Sequence, residues 1–175
     1  MIIDNTSKSF FIHVPKNGGT SFRKFIINNT PHKVYNFWGV KYGIDMAHVK
    51  KTDYHILKKL KFAREAGYKS IAITRDPYER FISAYKMYRY RLQYIDCNIF
   101  NFIKDLENTD KYKKLEFVHL SSQESFIFNN TRIIKIENIN KNINYIKRYF
   151  NIHNIVYDLQ HLNKSMNSSN FKIKE

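Results

Sequence analysis

Residues 15–21, with the sequence PKNGGTS, combine residue types that bind anionic oxygens. They follow a short β-prone run at residues 9–14 and precede apolar residues at helical spacing. Adjacent glycines let backbone N–H groups approach an anion, and a helix N-terminus adds free N–H groups and partial positive charge. Lys16 adds a full charge, and Thr20 and Ser21 add hydroxyls. This pattern predicts a phosphate or sulfate site; the alternative is a tight turn before a capped helix.

A second candidate for anion binding is the segment ITRDPYERFISAY, which begins at the end of a predicted buried strand. Asp76 and the proline after it are typical of a helix start, so Arg75 lies at the strand end. Ser83 follows about two helical turns later, and the planar fork of Arg75 suits a phosphate monoester. We expect these two side chains to converge on one ligand. The alternative is that Arg75 and Arg80 pair with local carboxylates such as Asp76 and Glu79.

The spacing of predicted strands and helices indicates the fold class. β-prone runs occur at residues 9–14, 69–74 and 132–136. Helices are predicted to start at Thr20, at Thr52 or Asp53, at Asp76 and at Asn138, with another over residues 98–117 that breaks near Asn108. Strands that alternate with helices predict one α/β domain over residues 1–175, with a mainly parallel sheet flanked by helices.

Length and composition exclude several classes of protein. The chain has 175 residues, of which 43% are hydrophobic, so it can bury a core and is not a disordered tail. No apolar stretch is long enough to span a membrane, and no signal-peptide core is recognisable. Cys97 is the single cysteine, which excludes a disulfide framework and a cysteine-based zinc site. We therefore expect a cytoplasmic protein without a signal peptide or membrane anchor.

The chain is strongly basic, because 30 Lys and Arg against 15 Asp and Glu give a formal net charge of +15. Several of these cations share one face of the helix predicted to start at Thr52 or Asp53: Lys58, Lys59, Lys61 and Arg64. Two interpretations of the charge stay open. It suits an acidic partner such as an acidic glycan, or it reflects the compositional bias that also makes the chain rich in Asn, Ile and Tyr.

Together, the two anion-binding segments resemble those of the sulfotransferases that use 3′-phosphoadenosine 5′-phosphosulfate (PAPS). Residues 15–21 resemble the 5′-phosphosulfate loop of that family, and residues 75–83 resemble its 3′-phosphate motif. Residues 47–49, AHV, are similar to the segment that carries the catalytic histidine in the glycan 2-O-sulfotransferase branch. Later blocks of that branch are similar to residues 119–127, 136–139 and 161–165. The resemblance implies a P-loop-type, sulfotransferase-like fold.

The resemblance also implies an activity and a set of site residues. The reaction would be sulfuryl transfer from PAPS to a hydroxyl or amine of an acceptor, which we expect to be a glycan, with no metal required. Lys16 would stabilise the leaving group, and His48 would be the general base. The implied nucleotide-binding residues are Lys16, Asn17, Gly18, Gly19, Thr20, Ser21, Arg75, Ser83, Lys164 and Ser165.

Other residues near these segments are less definite candidates. His13 lies in the β-prone run before the loop and is interpreted as structural. Asp45 and Asp53 are alternative base or orienting residues. Trp38 and Tyr42 could line an acceptor pocket, although aromatic side chains in such a chain are more often part of the core.

Three alternative functions stay open at this stage. The first is a P-loop-type nucleotide kinase, although Lys16 precedes the glycines and a Walker A lysine follows them. The second is a basic nucleic-acid-binding module, which the net charge permits but no recognisable motif supports. The third is a degenerate sulfotransferase that binds the nucleotide without turnover. Oligomeric state is not indicated by the sequence.

Overall fold

A five-stranded sheet lies at the centre of the protein. The computed structural model describes residues 1–41, 43–53, 58 and 65–159. The sheet contains β1 (Ile2–Asp4), β2 (Ser9–Ile12), β3 (Tyr35–Asn36), β6 (Lys69–Thr74) and β7 (Thr131–Lys135), and a separate hairpin pairs β4 (Val40–Lys41) with β5 (Ile44–Asp45). The strand order in the sheet is β3-β1-β2-β6-β7.

Helices surround this sheet. Among the described residues, the α-helices include α1 (Gly19–Asn29), α2 (Pro77–Lys86), α3 (Ile99–Asn108) and α4 (Ile143–Tyr149), and α2 continues into a π-helix (Met87–Arg91). Short 3₁₀ segments span Asp110–Lys113, Leu115–Leu120, Gln123–Phe126, Ile136–Asn138 and Asn140–Asn142. Within the described ranges, none of the helices has the length and apolar character needed to cross a bilayer.

The pairing of β2, β6 and β7 determines where functional side chains gather. β2 pairs in parallel with β6, and β6 pairs in parallel with β7. Parallel strands end at the same edge of a sheet, and ligands of open α/β sheets bind outside the carboxyl ends of such strands. The chain leaving β2 and the chain leaving β6 therefore meet at one edge, which places residues 15–21 beside Arg75.

The two faces of the sheet bury separate apolar clusters. Phe11 and Ile71, which are paired in register, pack with Phe22 of α1 and Phe150 after α4. On the opposite face, a second cluster contains Phe10, Ile12, Ala72, Val118 and Phe126. Adjacent residues of a strand point to opposite faces. The continuous apolar run of β2, all of it buried, is therefore the pattern of a strand covered on both sides.

The start of α2 follows the sequence prediction. The Asp76 side chain accepts a hydrogen bond from the Glu79 N–H at 2.9 Å, and Pro77 occupies the first helical position. Along this helix and the π-helix, Tyr85 and Tyr88 are buried in a third apolar cluster. The cap therefore sets where the helix begins, and Arg75 is left immediately outside it.

Two expectations about the fold need correction, and a third is not tested. The sheet is mixed rather than mainly parallel, because β1 runs antiparallel to both β2 and β3. Short strands such as β1 and β3 lack the long apolar run that identified β6. The last helix starts after Asn142 rather than at Asn138, because residues 136–142 form 3₁₀ turns first. The helix predicted from Thr52 or Asp53 falls mostly outside the described residues.

Arg80, one helical turn into α2, connects three segments of the site. Its Nε donates to the carbonyl oxygen of Pro15 at 2.9 Å. Its Nη2 donates to the carbonyl oxygens of His119 at 3.0 Å and Ser121 at 2.8 Å. The side chain is buried, and burial lowers the pKa of its guanidinium to about 10. Arg80 therefore links these three segments through hydrogen bonds, and it does not pair with Asp76 or Glu79.

We predict that Arg80→Met destabilises the protein. The methionine keeps the apolar stem but removes three charge-assisted hydrogen bonds and leaves carbonyl groups without their donor, so the free energy of unfolding should fall by about 3 kcal/mol. Urea unfolding followed by circular dichroism measures this change. The control, Arg148→Met, alters an exposed residue and should change stability by no more than about 0.5 kcal/mol. Equal effects of the two substitutions would contradict the structural role of Arg80.

Candidate functional site

A cavity of about 480 Å³ opens at the carboxyl ends of β2 and β6. It is lined by the turn after β2, by the chain after β6, by the β4–β5 hairpin and by the 3₁₀ segment that contains His119. The lining residues include Lys16, Gly18, Gly19, Thr20, Ser21, Trp38, Asp45, His48, Arg75, Ser83, Arg91 and His119. The cavity thus combines cationic side chains, hydroxyls and imidazoles.

The turn after β2 has a backbone conformation that suits anion binding. Lys16 has φ 65° and Gly18 has φ 72°, so two nearby residues adopt the left-handed region. Gly18 is the N-cap of α1, and the N–H groups of the first helical turn have no acceptor within the helix. A Cβ atom on Gly19 would lie 1.9 Å from Cδ2 of His13, so only glycine fits there. The turn therefore presents free N–H groups at the cavity wall.

Asn17 and Gln123 join this turn to the end of β6. Asn17 Nδ2 donates to the carbonyl oxygen of Ile73 at 2.8 Å and to Oε1 of Gln123 at 2.7 Å. Gln123 Oε1 also accepts from the N–H of Arg75 at 3.0 Å, while Gln123 Nε2 donates to the Arg75 carbonyl oxygen at 2.7 Å. Asn17 is buried and does not line the cavity. Its hydrogen bonds instead hold the turn after β2 in place.

Arg75 and Ser83 line the same cavity from the end of β6 and from α2. The structure thus brings together the two side chains that were expected to converge. Arg75 Nη2 also contacts Glu79 Oε2 at 3.2 Å, as the alternative interpretation foresaw. That pair is solvent-accessible, with 28% of the Arg75 side chain and 59% of the Glu79 side chain exposed. Exposed pairs contribute little, so a phosphate can replace Glu79 as the partner of Arg75.

His48 and Asp45 form a hydrogen-bonded pair at the cavity wall. His48 Nδ1 lies 2.7 Å from Asp45 Oδ2, and Asp45 Oδ1 accepts the N–H of Ala47 at 2.9 Å. Burial alone would raise the pKa of the Asp45 carboxyl, but the hydrogen bond and charge of His48 outweigh it and lower the pKa. An ionised carboxylate only accepts hydrogen bonds, so Nδ1 of His48 carries the hydrogen. In the neutral form of this ring, the lone pair is therefore on Nε2.

Two further imidazoles, those of His13 and His119, lie beside the ring of His48. The ring centroids of His13 and His119 lie 4.4 Å and 4.8 Å from that of His48. Burial, with repulsion from His48 as the next cause, lowers the pKa of His119 to about 3 and holds that of His13 well below its usual range. Both rings are therefore neutral at physiological pH. Among the described residues, neither His13 Nδ1 nor His119 Nδ1 has a hydrogen-bond partner.

The cavity also has a strong positive potential. Burial lowers the pKa of the Lys16 amine, and the charges of Arg91 and Arg75 lower it further. Arg91 ends the π-helix and reaches the cavity with Met87, one turn before it. Asp45 is the single carboxylate among the lining residues, and it is occupied by His48. An anionic ligand would relieve the repulsion between these cations.

Most sequence-predicted site residues line this one cavity. Those are Lys16, Gly18, Gly19, Thr20, Ser21, His48, Arg75 and Ser83, together with Trp38 and Asp45. Asp53 is not among the lining residues, and its Oδ2 instead accepts the N–H of Lys50 at 2.5 Å. His13, interpreted as structural, is buried and also lines the cavity. Tyr42, Lys164 and Ser165 lie outside the described residues.

Sequence reasoning missed two residues of the site. Gln123 lies in residues 119–127, which resemble a later block of the 2-O-sulfotransferase branch. Its link to both candidate anion-binding segments depends on a contact across 106 positions, which no local pattern indicates. Arg91 gave no signal, because its approach to the cavity requires the π-helix. An α-helix rotates by about 100° per residue, so in a continuous α-helix Arg91 would point about 80° away from Ser83 around the helix axis. The wider turn of the π-helix reduces this angle.

We predict that Gln123→Glu destabilises the region around the cavity. The substitution keeps the shape of the side chain but replaces the amide donor by an oxygen that faces the Arg75 carbonyl. We expect the free energy of unfolding to fall by about 1–3 kcal/mol, measured by urea unfolding. The neighbouring substitution Glu124→Gln, at a side chain that is 88% exposed, should leave stability unchanged. A Gln123→Glu variant as stable as the wild type would argue against this link.

Comparison with known proteins gives one family. The family model described as "Sulfotransferase family" matches residues 1–175. Comparisons with curated proteins and with solved structures returned no match. The α/β architecture, with its mixed five-stranded sheet flanked by helices, is consistent with that family. Because the match covers the whole chain, the protein belongs to the sulfotransferase family.

Proposed function

We propose that the protein transfers a sulfuryl group from PAPS to a hydroxyl or amine of an acceptor, and that the acceptor is a glycan. The single observation that carries this proposal is the composition of the cavity. It places the anion-binding turn, the Arg75–Ser83 pair and the His48–Asp45 pair around one space of about 480 Å³. A donor with two phosphate groups and an acceptor next to a base need this combination.

The nucleotide would be held at both of its phosphate groups. The free N–H groups of the first turn of α1, with the hydroxyls of Thr20 and Ser21, suit the 5′-phosphate. The Arg75 fork and the Ser83 hydroxyl suit the 3′-phosphate. Asn17 would contribute by holding the turn, and we propose that Lys164 and Ser165 also contact the nucleotide. Two fixed anchors would set the position of the sulfuryl group between them.

Lys16 is suited to stabilise the leaving group. As the acceptor oxygen or nitrogen bonds to sulfur, the S–O bond to the 5′-phosphate breaks and negative charge accumulates on that oxygen. The ammonium of Lys16 is half-buried in the cavity wall, where charge interactions are stronger than in bulk water. The neighbouring cations lower its pKa, and the charge of a bound bisphosphate would counteract that effect.

His48 is suited to take the proton of the acceptor. In the neutral imidazole the lone pair is on Nε2, because Asp45 holds the hydrogen on Nδ1. Asp45 also stabilises the imidazolium that forms when Nε2 accepts a proton, as the carboxylate does in a serine-protease triad. The proton leaves the acceptor as sulfur bonds to it, so the product carries the sulfuryl group and His48 becomes protonated.

Trp38 is suited to contact the acceptor. Its side chain is 53% exposed, and the guanidinium carbon of Arg23 lies 4.1 Å from the centroid of its ring. The ring centroid also lies 6.4 Å from that of His48. An exposed aromatic surface beside the base, backed by a cation, offers a platform for a sugar ring. This arrangement supports a glycan as the acceptor, and the basic cavity supports an acidic glycan.

We predict that adenosine 3′,5′-bisphosphate raises the Tm of the protein. A ligand that binds only the folded state adds about 2.7 kcal/mol of stability at 100 times its Kd. Arg75→Ala and Ser83→Ala should each reduce this rise, whereas Arg148→Ala and Ser122→Ala, at exposed positions away from the cavity, should not. Thermal-shift titration with each protein measures the difference.

The choice of control nucleotides separates the alternative functions. We expect 5′-AMP, which lacks the 3′-phosphate, to raise the Tm far less than the bisphosphate. A rise with ATP and Mg²⁺ but none with the bisphosphate would refute the proposal and favour a kinase. Binding of DNA that weakens steeply with salt, without nucleotide binding, would instead favour a nucleic-acid-binding module.

We predict that His48→Ala lowers kcat by about 10²–10⁴-fold, the usual contribution of general base catalysis. Affinity for the bisphosphate should stay within about twofold, because the proton transfer does not involve the nucleotide phosphates. The assay follows transfer of labelled sulfate from PAPS to a panel of acidic glycans. His153→Ala, at an exposed histidine, is the matched control. Equal kcat values for the two variants would exclude His48 as the base.

A further inference from the structure

A group of metal-ligating side chains lies in the wall of the cavity. Asp45, His48 and His119 each offer one ligand atom, and the three atoms lie within 4.8 Å of one another. Asp45 and His48 lie at the β4–β5 hairpin, whereas His119 belongs to a distant 3₁₀ segment, so no spacing in the sequence indicated the group. The nucleotide-binding residues described above do not include these three.

The types of ligand indicate which ions would fit. Two imidazoles and one carboxylate suit Zn²⁺, Co²⁺ and other late first-row ions, whereas Mg²⁺ and Ca²⁺ prefer oxygen ligands alone. Zinc bonds of about 2.0–2.2 Å place tetrahedral ligand atoms about 3.3 Å apart. The three ligand atoms, now within 4.8 Å of one another, would have to move closer by side-chain rotation to reach that spacing. Asp45 also supplies the negative charge that a cation needs.

An unpartnered imidazole nitrogen supports a ligand at this position. His119 Nδ1 is buried and has no hydrogen-bond partner among the described residues. The His119 backbone, in contrast, is held by Arg80 through its carbonyl oxygen and by Tyr88 Oη, which accepts its N–H at 3.2 Å. The segment is therefore fixed, while its side chain carries no structural bond that a metal ion would have to break.

The cations of the cavity affect how such an ion would bind. Lys16, Arg75 and Arg91 line the same cavity and disfavour a bare cation. Three protein ligands leave one tetrahedral position open, and the same cations attract an anion to that position. A metal ion that carries an anion as its fourth ligand would bind to Asp45, His48 and His119 and would also place a negative charge beside the cationic wall.

We propose that Asp45, His48 and His119 bind a divalent transition-metal ion of the zinc class, and that the bound ion inhibits the enzyme. A neutral imidazole has one available lone pair, and a metal bound to His48 uses it. His48 then has no lone pair with which to accept the proton of the acceptor. The binding site stands on geometry alone, whereas the inhibition rests on the proposed sulfuryl transfer.

The test uses tag-free, full-length protein that has been treated with EDTA and desalted. Calorimetric titration with ZnCl₂ should show one ion per chain, and MgCl₂ should show none. His119→Gln and Asp45→Asn should each weaken zinc binding by at least about tenfold. The control is His32→Gln, because His32 Nε2 and Asp4 Oδ1, 2.8 Å apart, form another described histidine–carboxylate pair. That variant should bind zinc like the wild type.

The outcomes separate the metal site from the proposed function. Identical zinc affinity in wild type and His119→Gln, or no zinc binding by the wild type, overturns the site. Circular dichroism checks the fold of each variant, and the visible spectrum of Co²⁺ on the wild type reports nitrogen ligation without any substitution. If transfer activity is found, its inhibition by zinc should follow the calorimetric Kd. Zinc binding without transfer activity would uphold the site and refute the proposed function.

Discussion

The three hydrogen bonds of the buried Arg80 guanidinium are the constraint on which the cavity depends. They connect α2 to Pro15 before the anion-binding turn and to the 3₁₀ segment around His119 and Ser121. These acceptors are carbonyl oxygens rather than carboxylates, so they do not neutralise the positive charge of the guanidinium beside the site. A cation used in this way contributes to structure and to the potential of the cavity at once.

Polar contacts of Asn17 and Gln123 complete this connection on the side of the sheet. Because Gln123 bonds to Asn17 and to both backbone groups of Arg75, the two elements proposed to bind phosphate have a fixed separation. Such preorganised geometry lets donors act on developing charge without moving during the reaction. The cavity also contains two electrostatic regions, a cationic wall for anions and a neutral group of imidazoles around the Asp45–His48 pair.

Local signals in the sequence predicted the elements with strong patterns. The strands β2 and β6, each with a buried apolar centre, and the Asp76-Pro77 helix start are present as expected. The break of the helical region near Asn108 is also confirmed, since α3 ends there and 3₁₀ turns follow. The antiparallel strands β1 and β3 were missed because strands of two or three residues give little pattern, and β3 pairs with a strand distant in the chain, with Asn36 opposite Ile2.

By itself, the sequence determined which residues are candidates for the site, namely the proposed anion-binding turn, the strand-end Arg75 with Ser83, and His48, because each depends on residue types and spacing within one short segment. Tertiary structure alone decided that Asp45 rather than Asp53 pairs with His48, that Gln123 links the two motifs, and that His13 and His119 lie beside His48. These relations arise where parallel strands end at one edge of a sheet. Residues far apart in the chain meet there, and no local pattern records which side chains become neighbours.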